Sequence, residues 1–140
     1  MEAAMAKFLF GCILLLGLLA CGPTSEAEME SEAAENLEPT LENIQKNLFS
    51  PRCSNAACHG GDNPVRELNL SEGNAYDALV NVESTTGQIH VIPGDPENSL
   101  LYQIIQESVG YVRQMPPGYD VEEADVALVK AWIEAGAANN

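Results

Sequence analysis

Positive charge is scarce in this chain. Six Lys and Arg stand against 21 Asp and Glu among 140 residues, a formal net charge of −15 at pH 7. Nucleic acid is thereby excluded as a ligand, because its phosphate backbone is gripped through Lys and Arg. Aromatics are few as well, at 6% of residues with a single Trp. After position 40 only Phe49, Trp132 and the four Tyr remain to fill a core, and the connecting stretches are long. Long structureless loops in a small domain are functional or disordered, so something besides side chains is expected to complete that core. Long apolar runs are also missing. The longest, Phe8 to Ala20, rises only ~20 Å as a helix, short of a hydrocarbon core of ~30 Å. Cys occurs only at positions 12, 21, 53 and 58, and His only at 59 and 90.

The short apolar run follows Lys7, which together read as a secretory signal peptide over residues 1–20. It ends in Leu18-Leu19-Ala20-Cys21, which resembles the bacterial lipobox. That resemblance implies cleavage before Cys21 and lipidation of its sulfur. Gly22 stands where an inner-membrane retention signal places Asp, so the implied site is the cell envelope, at the outer membrane facing the periplasm. Several acyl chains at ~0.8 kcal/mol per buried CH₂ make a stable anchor. The plain alternative is an ordinary signal peptide with a chance Cys. Residues 22–40 hold six Glu, no Lys or Arg, no aromatic and two Pro. Such a segment buries too little apolar surface to offset its ordering entropy. Residues 21–40 are therefore a lipidated Cys with an acidic flexible tether, the rival being an acidic docking segment. Residues 41–140 remain as one domain, with 14 acidic against five basic side chains. That balance suits a basic protein partner and also keeps an exported domain in solution.

Within the domain, Leu41, Ile44 and Leu48 recur at helical spacing behind Thr40, which predicts a capped helix ending near Ser50-Pro51. A short helix is expected over 74–80. Another should begin at Asp95-Pro96, with Leu100, Leu101, Ile104 and Ile105 on its apolar face. Asp120-Val-Glu-Glu123 resembles a capping box, and Val121, Leu128, Val129, Trp132 and Ile133 form one stripe that Gly136 ends. The class expected is all-α: a small helical domain with long loops.

The stretch CSNAACHGG, Cys53 to Gly61, concentrates the chemistry. A local disulfide is the plain explanation in an oxidising compartment. Zinc needs four ligands, and two Cys with one adjacent His leave the set incomplete. Covalent haem is the third. Two thiols add to the porphyrin vinyl groups, and the imidazole directly after Cys58 projects over the iron. Only haem gives the Cys58-His59 adjacency a purpose. The usual signature separates the cysteines by two residues; here there are four, absorbed as a bulge between the attachment points. For the sixth iron position Met115 is favoured, in the loop ArgGlnMetProProGly. Pro116 holds the residue before it extended and removes a backbone donor. His90 is the competing ligand, and an open position is the third possibility.

With IQKNLFSPRCSNAACHGG, LNLSEGNAYDALVNV, VIPGDPENSLLYQII, RQMPPG and VKAWIEAGA, residues 41–137 resemble the small class I cytochrome c-like domains of bacterial exported lipoproteins. Several of those domains share the four-residue spacing. The resemblance implies one covalent haem c, thioethers at Cys53 and Cys58, His59 as proximal ligand and Met115 as distal ligand. It also implies that the first and last helices cross, with Trp132 near the cofactor. Many relatives carry a basic residue where His90 stands. A proline carbonyl often accepts the proximal imidazole N–H, and Pro64, though nearest, sits at a different offset. The expected function is single-electron transfer with redox partners bearing a basic surface, not catalysis. The rivals are a haem enzyme or gas sensor with an open sixth site, and a haem-free, disulfide-stapled interaction module. Cys21→Ser is expected to shift the protein from the membrane to the soluble fraction on ultracentrifugation, with its haem content unchanged.

Overall fold

The computed structural model describes residues 37–140. The signal peptide, Cys21 and most of the tether lie outside the described residues. The described chain is helical and forms no strand; its only sheet-like pairings are the isolated bridges Val80–Val91, Glu83–Ile89 and Val109–Val112. Among the described residues no helix is long and apolar enough to cross a membrane.

Helix α1 (Leu41–Ile44) starts as expected, with Thr40 Oγ1 accepting from Asn43 N–H at 3.2 Å. It does not end at Ser50-Pro51. The chain continues as a π-helical segment, Gln45–Cys53, that passes through Pro51. Its wider turn closes with Ser54 N–H on Phe49 O at 2.8 Å, a five-residue spacing. Such widened turns are rare and concentrate at functional sites. This one carries the helix up to Cys53 itself. Buried Gln45 sits in its first turn and donates to Ser50 Oγ and Leu70 O, both at 3.0 Å.

Helix α2 (Ala75–Leu79) lies where expected, and α3 (Leu100–Ile104) begins later than the Asp95-Pro96 start. The reason is Ser99, which is fully buried. Its hydroxyl accepts from Ile92 N–H at 2.8 Å and donates to Asp95 O at 2.7 Å. Asp95 caps only the preceding turn, through Asn98 N–H at 3.3 Å.

Helix α4 (Glu123–Glu134) buries Leu128, Val129, Trp132 and Ile133. Val121 is buried too, but just ahead of the helix. No side chain caps the start; Asp120 instead accepts from Gln114 Nε2 at 3.4 Å. Arg52 pairs with Glu122 at 2.6 Å, tying the π-helical segment to the α4 entry. At the other end Gly136 adopts φ +100. Its N–H reaches Ile133 O at 3.0 Å, and Ala137 N–H reaches Trp132 O at 2.9 Å. This double closure is a Schellman stop.

Helices α1 and α4 pack together, as do α3 and α4. Trp132 is fully buried, and its indole N–H holds Ala138 O at 2.8 Å. The tail then returns to α1, where Glu42 N–H meets Asn140 O at 3.0 Å and Leu41 N–H meets Asn140 Oδ1 at 3.1 Å. Trp132→Ala removes the largest buried side chain and should cost about 3–5 kcal/mol, measured by denaturant unfolding.

Candidate functional site

Cys53 to Gly60 fold into a compact knot. Asn55 organises it: its carbonyl accepts from Cys58 N–H at 2.9 Å and Gly60 N–H at 3.1 Å. Its side chain takes Ala57 N–H at 3.0 Å. His59 N–H returns to Cys53 O at 3.0 Å, and His59 O accepts from Leu70 N–H at 2.7 Å. The four residues between the cysteines are thus a hydrogen-bonded turn. Gly60 is required here, because a Cβ would stand 1.9 Å from Ser54 O.

The knot forms one wall of an apolar cavity of about 80 Å³ that opens to solvent. Leu48 and Phe49 from the π-helical segment, Leu79 from α2, and Leu100, Leu101 and Ile104 from α3 supply the wall. Cys53, His59, His90 and Met115 all line it, although the last two lie far from the knot in sequence. Cys58 is half-buried beside His59 and is not part of the wall. Trp132 is not among the lining residues, and its indole N–H is taken up by the tail contact with Ala138 O.

Electrostatics in the cavity favour neutral groups. Burial pushes the Cys53 thiol up to about 11, and the charge of Cys58 adds to the shift. The thiol is thus kept protonated, and its Sγ points to Leu48 O at 3.6 Å. Cys53 and Cys58 are free thiols. Burial lowers the His59 pKa, and for His90 burial acts first and the charge of His59 second. His59 Nδ1 is buried without a hydrogen-bond partner. Backbone groups of Leu68 and Val65 oppose part of its shift, yet none meets hydrogen-bond geometry at Nδ1. Pro64 does not serve that nitrogen: its carbonyl accepts from Glu67 N–H at 3.0 Å.

Met115 is half-buried and packs against the core. Its N–H donates to Ile104 O at 2.9 Å, fastening the loop to the end of α3. The Met115–Pro116 peptide is cis. Beyond the residues anticipated from sequence, Arg66 and Ser84 to Thr86 also line the cavity. Nothing in their local sequence marks them. Among the described residues no three of His, Cys, Asp and Glu converge to hold a metal ion, so a zinc centre built from Cys53, Cys58 and His59 lacks its further ligands. Comparison with protein-family models, curated proteins and solved structures finds no match to the chain.

Two neutral imidazoles with lowered pKa make stability depend on pH. Such groups bind fewer protons folded than unfolded, so their contribution is full above the ordinary value of 6.5. It is lost as pH falls through the lowered folded values. Protein prepared without a prosthetic group should show a falling urea midpoint between about pH 7 and about pH 5. His90→Gln should flatten that slope.

Proposed function

We propose that this chain is an exported c-type cytochrome that carries single electrons through one covalent haem c. Cys53 and Cys58 hold the group, His59 and Met115 ligate it, and Cys21 anchors the chain by lipid. The observation that carries this proposal is the meeting of Cys53, His59 and Met115 on one apolar cavity. When bound, the haem supplies reversible one-electron Fe(III)/Fe(II) chemistry.

The chain's residues fit that group. Burial keeps His59 in the neutral form that ligates a metal. A partnerless Nδ1 leaves its orientation to the Cys53–Gly60 knot. Met115 offers a soft, uncharged sulfur from a loop fastened to α3, and such a ligand favours the ferrous state. The apolar wall excludes water and disfavours the extra charge of the ferric state, so a moderately positive potential is expected. Exposed carboxylates oppose this weakly, since charges beyond ~8 Å are screened at physiological salt. His59 and Met115 would together hold the iron and leave it no site for a substrate, so the role would be electron transfer rather than catalysis. The acidic surface suits a redox partner with a basic face, met faster at low salt.

A second reading gives the distal position to His90, because its ring lines the same cavity and senses His59. Substitutions separate the two. His59→Ala should abolish stable holoprotein. Met115→Ala should still attach haem, with a lower potential in redox titration and rapid carbon monoxide binding by the ferrous protein. Unchanged potential and absorption in Met115→Ala would transfer the distal role to His90. Rapid carbon monoxide binding by the native protein would favour an enzyme or sensor instead.

A further inference from the structure

A second recess, of about 510 Å³, opens beside the tail contact and shares no lining residue with the apolar cavity. Pockets that take small molecules span ~300–1,000 Å³. Leu41, Ala75 and the half-buried Tyr76 ring supply its apolar lining, and the rest is polar. Gln45 is the unusual member. It lines the recess from the start of the π-helical segment, yet it is only 8% exposed. Both hydrogens of its amide are used, on Ser50 Oγ and Leu70 O, each at 3.0 Å. Among the described residues none donates to its Oε1. That oxygen is not sealed off either, because His59 Nδ1 is the sole buried side-chain atom left without a partner there. An amide oxygen fixed in place and open to a recess is an acceptor held ready for a ligand.

The neighbouring groups mix donors with acceptors. Ser50 Oγ already accepts from Gln45, so its O–H remains to donate. Asn140 Oδ1 is taken by Leu41 N–H at 3.1 Å, which leaves the amide hydrogens of that side chain. Glu42 and Glu72 add two carboxylates, and Lys46 one ammonium. An anion entering here meets both carboxylates. A cation meets Lys46 and leaves the Ser50 and Asn140 donors unmatched. An apolar molecule strands every polar group. The tether, with six Glu in residues 22–40, is repelled by the same carboxylates. A hydroxyl both donates and accepts. A ring of hydroxyls with one C–H face therefore answers the polar groups and the Tyr76 ring together.

We infer that this recess binds one unit of a neutral sugar, with Gln45 Oε1 accepting from a ring hydroxyl. Glu72 accepts from a second hydroxyl, and Lys46 donates to a third. The sugar arrives either free or as the end unit of a polysaccharide. Because the recess and the cavity share no residue, sugar binding and electron transfer are separate properties of one domain.

The test is isothermal titration of the intact purified protein with glucose, mannose and N-acetylglucosamine, and with glucuronate and glucosamine as charged counterparts. At least one neutral sugar should bind saturably, and more tightly than either charged ring. Gln45→Leu should abolish the heat. Glu72→Ala and Lys46→Met alter exposed side chains and leave the buried amide bonds intact, so they should unfold as wild type does. Each should weaken binding by about tenfold, while Glu107→Ala, outside the recess, should leave it unchanged. Retention on dextran, mannan or chitin beads with elution by the matching sugar identifies a polysaccharide end. Heat with free sugar and no retention identifies a soluble ligand. No heat with any neutral sugar and no retention on any bead would overturn the inference. Tighter binding of a charged ring, or binding that Glu72→Ala and Lys46→Met both leave unchanged, would overturn it too.

Discussion

Two backbone N–H groups, from Cys58 and Gly60, converge on the carbonyl of Asn55, while His59 N–H turns back to Cys53 O. This small set of bonds fixes two sulfurs and an imidazole within one turn of chain. It works only because Gly60 carries no side chain where Ser54 O comes close. The π-helical segment delivers Cys53 at the start of the knot, and Leu70 N–H on His59 O holds its far side. The chain beyond is then free to bring Met115 and His90 to the same cavity. Precision sits in the knot, and reach sits in the loops.

The cavity puts charge and apolar surface to different uses. Its wall is aliphatic, and the ionisable groups on it are pushed toward neutrality: the thiol up, both imidazoles down. Its single guanidinium, that of Arg66, stays exposed and donates to Thr85 Oγ1.

Much of the scaffold was legible from local pattern. The Thr40 cap, the Leu41–Ile44–Leu48 stripe and the α4 face with its Gly136 stop each depend on neighbours a few residues away. Periodicity and capping chemistry report such neighbours directly. The misplaced features depend on distant ones. Ser99 delays α3 because its hydroxyl belongs to Ile92. Pro51 does not end the first helix because the backbone widens around it. Of the residues that line the cavity, Cys53 and His59 stood out in the sequence by the Cys-His stretch, and Met115 by its unusual loop. Arg66 was invisible: an arginine in a left-handed turn has no sequence signature, and its partner is 19 residues away.

The meeting of Asn140 with the first turn of α1 has a mechanical side. Residues 37–42 and 138–140 occupy one neighbourhood, and none of them lines the cavity. Tension applied from upstream of Leu37 therefore enters beside the tail clamp. It loads the Asn140 bonds and the α1–α4 seam before any wall residue. The groups that face the cavity are thereby spared a pull that enters at Leu37.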